Sequence, residues 1–589
     1  MGGIIMQYNI LPSPKIIEQT KGFFNVVGAN IYLQNQLDAR VISKAEELKE
    51  KLCKKTGLKH SLLKTQEANK GIYICKTADI TPEGYILTVS EYGIKIEGGS
   101  DAGCFYGIVT LLQMLEIEGN ALPFAVIKDW PDMAYRGYYY DATRGRVPSV
   151  EGAKKLIGRL AAYKINVLQF YVEHTFDFKE FKSVGRTADE FLSPNDILEI
   201  DRYCFENFID FQPSLSTFGH LYELLRLEEY KQLCELVDYK DSMHFWSERM
   251  AHHTIDASNP ESIKVVCSLI DQYLPLFRSE YFNICCDETF DLCRGRNKGR
   301  DVAETYIGFV EKIISHIKKC GKKVMMWGDI ALKHPQMLSC IPKDTIILNW
   351  DYEANPDTEK IIKIRDLGLS QIVCPGTWSW HSFIEKPSVA IPNISTMAKS
   401  GFENGALGIL NTNWGDWGHP AHPECALYGT LFGACVAWNI KTQANVAFDN
   451  ALSASIYKSD INIVKLIKEL EICHSTALWK SIFYWYYDRD TKHLGSDIKT
   501  VEESIKKAQN IADTLSQAKG EKEIMCCFKN SADAIVLLNN AALEIKKYGT
   551  ISEDWHKKAE IWFAAYKNCW LLSSKPSEIM EIYDFLKKI

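Results

Sequence analysis

Eight short apolar segments alternate with amphipathic helical segments between about residue 134 and residue 440. This repeat limits the fold more than any other feature of the sequence. Near-continuous apolar strands separated by helices predict a parallel sheet buried on both faces, and eight such units predict an α/β fold closed into a (β/α)8 TIM barrel. The predicted strands are Tyr135–Asp141, Ile165–Glu173, Ile209–Ser216, Tyr281–Glu288, Lys323–Asp329, Thr345–Glu353, Gln371–Trp378 and Ala406–Trp414.

The segments on either side of this repeat have different patterns. The first ends in GYILTVSEYGIKIEGG, two alternating runs around a turn, followed by a helical pattern, which predicts an N-terminal α+β accessory domain over 1–125. The last has apolar residues at three- and four-residue spacing and predicts an α-helical C-terminal domain over 441–589, after a barrel over 126–440. We expect this domain to pack against the barrel, with a homodimer interface as the alternative role.

Composition excludes several classes of function. The 68 basic and 75 acidic residues give a net charge of −7, so we expect no nucleic-acid partner. No apolar stretch approaches the ~18 residues of a membrane span, and the first residues lack a secretory signal pattern, so we expect a cytoplasmic protein. The HxxH of His419 and His422 has no third ligand at metal spacing, and we expect neither a metal nor a cofactor.

A tryptophan lies at or near the end of each of the last four predicted strands. In such a barrel the active site forms at the carboxyl ends of the strands, which is where Trp327, Trp350, Trp378 and Trp414 lie. A single tryptophan at a strand end would be explained by core packing, but four in equivalent places are not. Indole rings are rigid apolar walls with a polar N–H and match the faces and hydroxyls of a sugar ring. The pattern predicts a carbohydrate pocket.

Asp287 and Glu288 close the fourth apolar run and are the sharpest candidates for chemistry. Glycoside hydrolysis requires a carboxylic acid to protonate the leaving oxygen, and an apolar, tryptophan-lined site helps a carboxyl group to keep its proton. Strand seven ends in Trp-Ser-Trp without an acid. This favours substrate assistance, in which the 2-acetamido oxygen of the sugar attacks the anomeric carbon. Asp351, Glu353 and Asp416 leave a conventional nucleophile open.

With these residues the chain resembles glycoside hydrolase family 20, the β-N-acetylhexosaminidases, over roughly residues 20–435. The resemblance rests on GYILTVSEYGIKIEGGSDAGCFYGIVTLLQML, on Arg136-Gly137 with Asp141 and Arg144, and on the Asp287-Glu288 pair. It implies a retaining exo-β-N-acetylhexosaminidase that removes terminal non-reducing β-linked GlcNAc or GalNAc from a small-molecule glycan through an oxazolinium-like intermediate.

The resemblance also implies a role for each candidate residue. Glu288 would be the general acid/base, and Asp287 would orient the acetamido group. The expected substrate-binding residues are Arg136 on the O3 and O4 hydroxyls, Asp416 on ring hydroxyls, His220 near the acid, Glu173 in place of a family Asp, Trp327, Trp350 and Trp414 as walls, and Trp378, Trp380 or Tyr352 as the acetamido donor. The chain departs from the family at Cys285 and Cys286, where small residues, often glycine, are common.

Two other hypotheses remain at this stage. One is a related barrel hydrolase of another N-acetyl sugar linkage, similar to O-GlcNAc hydrolases, which often carry paired aspartates. The other is a non-catalytic sugar-binding barrel. The Asp287-Glu288 pair argues against the first hypothesis because its second member is a glutamate and not an aspartate. It argues against the second because a protein without catalytic activity is free to lose these carboxyl groups.

Overall fold

A seven-stranded mixed sheet with two helices forms the first part of the computed structural model, which describes residues 9–65, 70–241, 243–251 and 253–589. The strand order is β1-β7-β5-β6-β4-β2-β3. Its elements are β1 Ile16–Asn25, β2 Ile31–Leu33, α1 Ala39–Thr56, β3 Leu62–Lys64, β4 Gly71–Lys76, β5 Tyr85–Ser90, β6 Gly93–Gly98, α2 Asp101–Glu118 and β7 Ala121–Asp129. Because β7 pairs with both β1 and β5, this domain continues to Asp129, four residues beyond the expected boundary at 125.

A closed barrel of eight parallel strands follows, which confirms the predicted fold class. Each predicted strand is present, and most are a few residues shorter than the apolar run that predicted them. The strands are β8 Tyr135–Asp141, β9 Val167–Val172, β10 Asp210–Leu215, β11 Tyr281–Asn283, β12 Lys323–Trp327, β13 Ile346–Trp350, β14 Gln371–Cys374 and β15 Gly408–Asn413. Pairing of β15 with β8 closes the barrel. Every residue of β9 and β15 is buried, as expected for strands covered on both faces.

Helices between the strands cover the outside of the barrel. Their apolar faces pack inward, as in α8, where Phe309, Ile313 and Ile317 are buried, while polar caps such as Ser193 before α4 fix their first turns. The helices are α3 Val150–Ala162, α4 Pro194–Glu206, α5 Tyr222–Leu225, α6 Phe245–Arg249, α7 Pro260–Tyr273, α8 Val302–Lys319, α9 Asp329–Lys333, α10 Pro335–Cys340, α11 Glu359–Asp366, α12 Pro387–Glu403 and α13 Leu427–Trp438.

Seven helices form the C-terminal domain. They are α14 Val446–Ser455, α15 Ile463–His474, α16 Trp479–Asp488, α17 Ile498–Gln517, α18 Lys522–Tyr548, α19 Glu553–Trp570 and α20 Ile579–Lys588. Trp246 and Trp417 from barrel loops join a single apolar cluster with Trp479 and Phe585 of this domain. The domain therefore packs against the barrel, as expected, and a homodimer stays a prediction. None of the described helices is both long and apolar enough to cross a bilayer.

Candidate active site

A cavity of about 220 Å³ opens at the carboxyl ends of the barrel strands. Its volume lies below the roughly 300–1,000 Å³ typical of drug-sized pockets, so it suits one sugar ring better than an extended oligosaccharide. It is lined by Arg144, His220, Met250, Asp287, Glu288, Trp327, Trp350, Tyr352, Trp380, Trp414 and Asp416. Of the ten site residues predicted from sequence, seven line this cavity, and Arg136, Glu173 and Trp378 do not.

The two predicted catalytic carboxyl groups share one histidine. Nε2 of His220 lies 3.4 Å from Oδ2 of Asp287 and 3.3 Å from Oε2 of Glu288. Burial alone would lower the pKa of His220, but the two acids outweigh it and hold that pKa well above its usual value. This shift favours the protonated ring, whose Nε2 faces both carboxyl groups.

The backbone that carries the acid pair is in an unusual conformation. Cys285, Cys286 and Glu288 have φ of 56°, 65° and 50°, a region that costs non-glycine residues of order 1–3 kcal/mol each. These dihedrals end β11 at Asn283, whereas the apolar run predicts a strand through Glu288. They also explain why glycine suits the positions before the acid pair.

Hydrogen bonds from neighbouring elements hold this strained segment. The hydroxyl of Thr217 donates to the carbonyl of Ile284 at 2.6 Å, and the hydroxyl of Tyr306 donates to the carbonyl of Cys286 at 2.8 Å. Burial raises the pKa of the Cys285 thiol to about 12, so this thiol is a core group and not a nucleophile.

Asp329 lies behind the acid pair and was not predicted as a site residue. Its Oδ2 accepts a hydrogen bond from the backbone N–H of Glu288 at 3.2 Å. Its Oδ1 is buried and has no hydrogen-bond partner among the described residues. Burial, with Asp287 and Glu288 nearby, raises the pKa of Asp329 to about 7.

This shift predicts a pH-dependent stability. Because the pKa of Asp329 is higher in the folded than in the unfolded chain, its stabilising contribution is complete below about pH 4 and is lost as pH rises through about 7. Asp329→Asn keeps an acceptor for the Glu288 N–H but cannot ionise. We therefore expect the free energy of unfolding of the variant, relative to wild type, to increase between pH 5 and pH 8.

Urea titrations at the two pH values measure this difference. Asp584→Asn, at an exposed position in α20, is the control and should show no such change. An equal difference between Asp329→Asn and wild type at both pH values would contradict the assignment.

Aromatic rings form the walls of the cavity. Trp327 and Trp414 lie 6.1 Å apart between ring centroids, and both make edge contacts with Tyr139 below them. Trp350 stacks on Tyr352 at 5.1 Å, and Nε1 of Trp414 donates to the hydroxyl of Tyr352 at 2.8 Å. The rings support one another, so the walls are preorganised for a ring-shaped ligand.

Arg144 lies between three acidic residues beside the cavity, Asp141, Asp416 and Glu173. Its Nη1 lies 3.3 Å from Oδ2 of Asp141 and 3.2 Å from Oδ1 of Asp416, and its Nη2 lies 3.6 Å from Oε1 of Glu173. Its guanidinium also lies over the ring of Trp414 at 5.1 Å. Burial, opposed by Arg144, raises the pKa of Asp416 to about 6. Arg144 and Asp416 thus offer a donor and an acceptor side by side for sugar hydroxyls.

The prediction that Arg136 binds the sugar is wrong. Arg136 is the second residue of β8, and at ~3.3 Å per residue it lies about 16 Å from the carboxyl end of the strand at Asp141. It is 1% exposed and pairs with Glu83 of the accessory domain, with Nη2 2.6 Å from Oε1. The arginine at the pocket is Arg144, which follows the strand.

Arg136 therefore contributes to stability and not to substrate binding. Arg136→Gln leaves Glu83 half-buried without its cation, and we expect a loss of about 3 kcal/mol in the free energy of unfolding. Urea denaturation measures the loss, and KM of the folded variant should be unchanged. A raised KM at unchanged stability would restore the role in hydroxyl binding.

Glu173 and Trp378 lie behind residues that line the cavity. Glu173 accepts a hydrogen bond from the hydroxyl of Tyr171 at 2.7 Å. Burial would raise the pKa of Glu173, but His174 and Arg144 outweigh it and lower the value to about 2, so Glu173 is a fixed anion behind Arg144. Trp378 donates Nε1 to the carbonyl of Tyr352 and stacks on Trp380 at 4.8 Å. Neither is placed for the direct contact predicted from sequence.

Two of the three residues considered as alternative nucleophiles, Asp351 and Glu353, do not line the cavity. Asp351 accepts from the ammonium of Lys360 at 2.8 Å and from two backbone N–H groups of its own loop. Glu353 is exposed beside it. Asp416 does line the cavity and is the remaining candidate among the three.

Two family models match consecutive parts of the chain. Residues 7–130 match the model of glycosyl hydrolase family 20, domain 2, and residues 133–400 match the model of the glycosyl hydrolase family 20 catalytic domain. Together they cover about two-thirds of the chain. The chain belongs to glycoside hydrolase family 20. The first match covers the accessory domain and ends one residue after β7, and the second covers β8 to β14, including the segment that carries the acid pair.

Proteins similar in sequence include two bacterial β-hexosaminidases. The protein of Porphyromonas gingivalis is 28% identical over 360 residues, which are 55% of this chain and 45% of that protein. The protein of Vibrio furnissii is 25% identical over 417 residues, which are 63% of this chain and 64% of that protein. The alignments therefore span about half to two-thirds of these relatives.

Solved structures of family 20 share the fold. A chitobiase of Flavobacterium johnsoniae superposes with a TM-score of 0.63 at 18% identity and covers 98% of this chain and 99% of its own. An exo-β-N-acetylglucosaminidase of Vibrio harveyi gives 0.59 at 20% identity, over 77% of this chain and 76% of its own. The first of these covers nearly the whole chain, so its similarity in fold includes the C-terminal helices.

Proposed function

We propose that the protein is a retaining exo-β-N-acetylhexosaminidase that uses the acetamido group of its substrate as the nucleophile. The observation that carries the proposal is the arrangement of Asp287, Glu288 and His220 in a tryptophan-walled cavity sized for one sugar ring. Membership of family 20 and the β-hexosaminidases among the relatives support it.

The residues divide the chemistry among them. Glu288 donates its proton to the glycosidic oxygen as the bond to the anomeric carbon breaks. The acetamido oxygen of the same sugar attacks that carbon from the other side, and Asp287 holds the acetamido N–H and stabilises the cationic oxazolinium ring that forms. Glu288, now ionised, then takes a proton from the water that opens the ring, so the anomeric configuration is retained.

Substrate recognition follows from the walls. Trp327, Trp350, Trp380 and Trp414 enclose the ring, while Arg144 and Asp416 bind hydroxyls on one side. The hydroxyl of Tyr352, which accepts from Trp414, lines the cavity and is our candidate for the donor to the acetamido carbonyl. A cavity of one-ring size suits removal of a terminal residue.

Release of the aryl group from aryl β-N-acetylglucosaminide and aryl β-N-acetylgalactosaminide tests the activity. We expect turnover of at least one of the two and strong competitive inhibition by a thiazoline analogue of the oxazolinium intermediate. Activity that the thiazoline does not inhibit would point to Asp416 as an enzymic nucleophile. No turnover of either substrate would favour the sugar-binding alternative.

A further inference from the structure

Three cysteines meet where the C-terminal domain contacts the barrel, far along the chain from the acid pair. Cys526 and Cys527 are adjacent near the start of α18, and Cys569 lies in the last turn of α19. The Sγ atoms of Cys526 and Cys569 are 3.3 Å apart across 43 residues of sequence. Nothing in the proposed glycosidase chemistry uses these thiols.

The two contacting thiols have different surroundings. Cys526 is exposed, whereas Cys569 is 1% exposed, so solvent reaches the pair from the Cys526 side. Hydrogen bonds from Cys527 and Cys526, with the charge of Arg146 nearby, lower the pKa of Cys569 below its usual value despite burial. An accessible thiol thus touches one that ionises more readily, which is the arrangement of a redox-active pair.

A metal site is the other use of such a cluster, and the histidine beside it argues against one. The Sγ atoms of Cys527 and Cys569 and a ring nitrogen of His422 lie within 4.8 Å of one another. Both ring nitrogens of His422 are already engaged, Nδ1 by Nη2 of Arg146 at 3.0 Å and Nε2 by Oδ1 of Asn530 at 3.0 Å. Two or three thiols without the imidazole fall short of the four ligands of a structural zinc site.

We propose that Cys526 and Cys569 are a modification site that peroxide converts reversibly into a disulfide between α18 and α19. The Cys569 thiolate attacks one oxygen of hydrogen peroxide, the O–O bond breaks and hydroxide leaves, which gives a sulfenic acid on Cys569. The sulfur of Cys526 then attacks that sulfur, the S–S bond forms and the sulfenic hydroxyl leaves. The protons of the two thiols complete two water molecules, so two thiols are oxidised and one peroxide is reduced.

The position of the pair makes the bond structurally significant. Trp570, the residue after Cys569, lies against the guanidinium of Arg146 at 3.8 Å, and Nε of Arg146 donates to the carbonyl of His419 in the loop after β15. The disulfide would therefore tie the two helices at the point where their domain holds the loops on the catalytic side of the barrel.

Peptide mapping of the full-length chain tests the proposal. The reduced protein is treated with hydrogen peroxide, blocked with N-ethylmaleimide, digested without reduction and analysed by mass spectrometry. We expect a cross-linked peptide that contains Cys526 and Cys569, a decrease of about 2 Da in intact mass before blocking, and full reversal by dithiothreitol. Loss of N-ethylmaleimide labelling at the exposed Cys320 shows whether the peroxide dose is high enough to oxidise an accessible thiol.

Two neighbouring variants sharpen the result. Cys526→Ser changes an exposed side chain and should abolish the cross-link, whereas Cys527→Ser, one residue along the same helix, should keep it. If Cys527→Ser does not fold, the peptide map of the wild-type protein and that of Cys526→Ser still show whether the cross-link forms and whether it requires Cys526. Full alkylation of Cys526 and Cys569 at a peroxide dose that oxidises Cys320 would overturn the proposal. A cross-link from Cys569 that is still found in Cys526→Ser would also overturn it. Protection of all three thiols from alkylation by one equivalent of Zn²⁺ would indicate a metal site and would overturn the disulfide proposal.

Discussion

Replacement of Glu288 by glutamine is expected to lower kcat/KM for an aryl β-N-acetylglucosaminide by about 10²–10⁴, the usual contribution of a positioned general acid. Glutamine keeps the size of the side chain but cannot deliver a proton to the glycosidic oxygen. The deficit should depend on the leaving group. A 2,4-dinitrophenyl substrate, whose phenolate leaves without protonation, should lose much less than a 4-methylumbelliferyl substrate.

Initial rates with the two substrates measure this effect. Glu353→Gln is the matched control, because Glu353 is exposed after β13 and does not line the cavity. Its rates should equal those of wild type. Equal turnover by wild type and Glu288→Gln on the poor leaving group would exclude Glu288 as the acid.

Replacement of Asp287 by asparagine is the second large effect that we expect. In the proposed mechanism the carboxylate beside His220 holds the acetamido N–H and stabilises the positive charge of the oxazolinium ring. Loss of one such preorganised interaction costs about 10²–10³ in kcat. The affinity for a thiazoline inhibitor should fall with it, because that compound imitates the charged ring.

A series of substrates with zero to three fluorine atoms on the acetyl group separates this role from a general loss of activity. In wild type kcat should fall with each fluorine, since the acetamido oxygen becomes a weaker nucleophile. Asp357→Asn, an exposed change in the loop after β13, should reproduce the wild-type slope. A wild-type rate that does not respond to fluorination would exclude substrate assistance.

The barrel could be predicted because its strands are buried on both faces. Such strands are read as apolar runs, and the eight runs correspond to β8–β15. Strand ends then located the acid pair and three of the four predicted tryptophans correctly, because parallel strands bring their carboxyl ends to one side. Trp327, Trp350 and Trp414 line the cavity for this reason.

The features that were predicted wrongly or not at all concern which end of a strand a residue lies at and the backbone conformation around the acid pair. Arg136 lies near the amino end of β8, whereas Arg144 follows its carboxyl end, so only Arg144 is on the side of the barrel where the cavity opens. The left-handed backbone conformation of Cys285, Cys286 and Glu288 could not be predicted, because neither cysteine nor glutamate is a residue type that favours a positive φ. Asp329 was not predicted because its role depends on a tertiary contact that places the start of α9 beside the backbone N–H of Glu288.

Contacts between segments that are far apart in the sequence could not be predicted from local patterns. The run ALPFAVIKD has the alternation of a strand, but its partners β1 and β5 lie about 35 or more residues away, so its domain could not be assigned. For the same reason Glu83 gave no sign that it pairs with Arg136.

The apolar cluster between the barrel loops and the C-terminal helices bears on what the smallest working enzyme can be. The family's catalytic-domain match ends at residue 400, yet Trp246, Phe383 and Trp417 would lose their cover if the chain were cut after the barrel. Trp417 is the neighbour of Asp416, and Arg249 would lose Glu578. The C-terminal helices thus cover apolar residues next to the cavity although they lie outside the family match, and we expect an excised barrel to expose those residues and to be less stable.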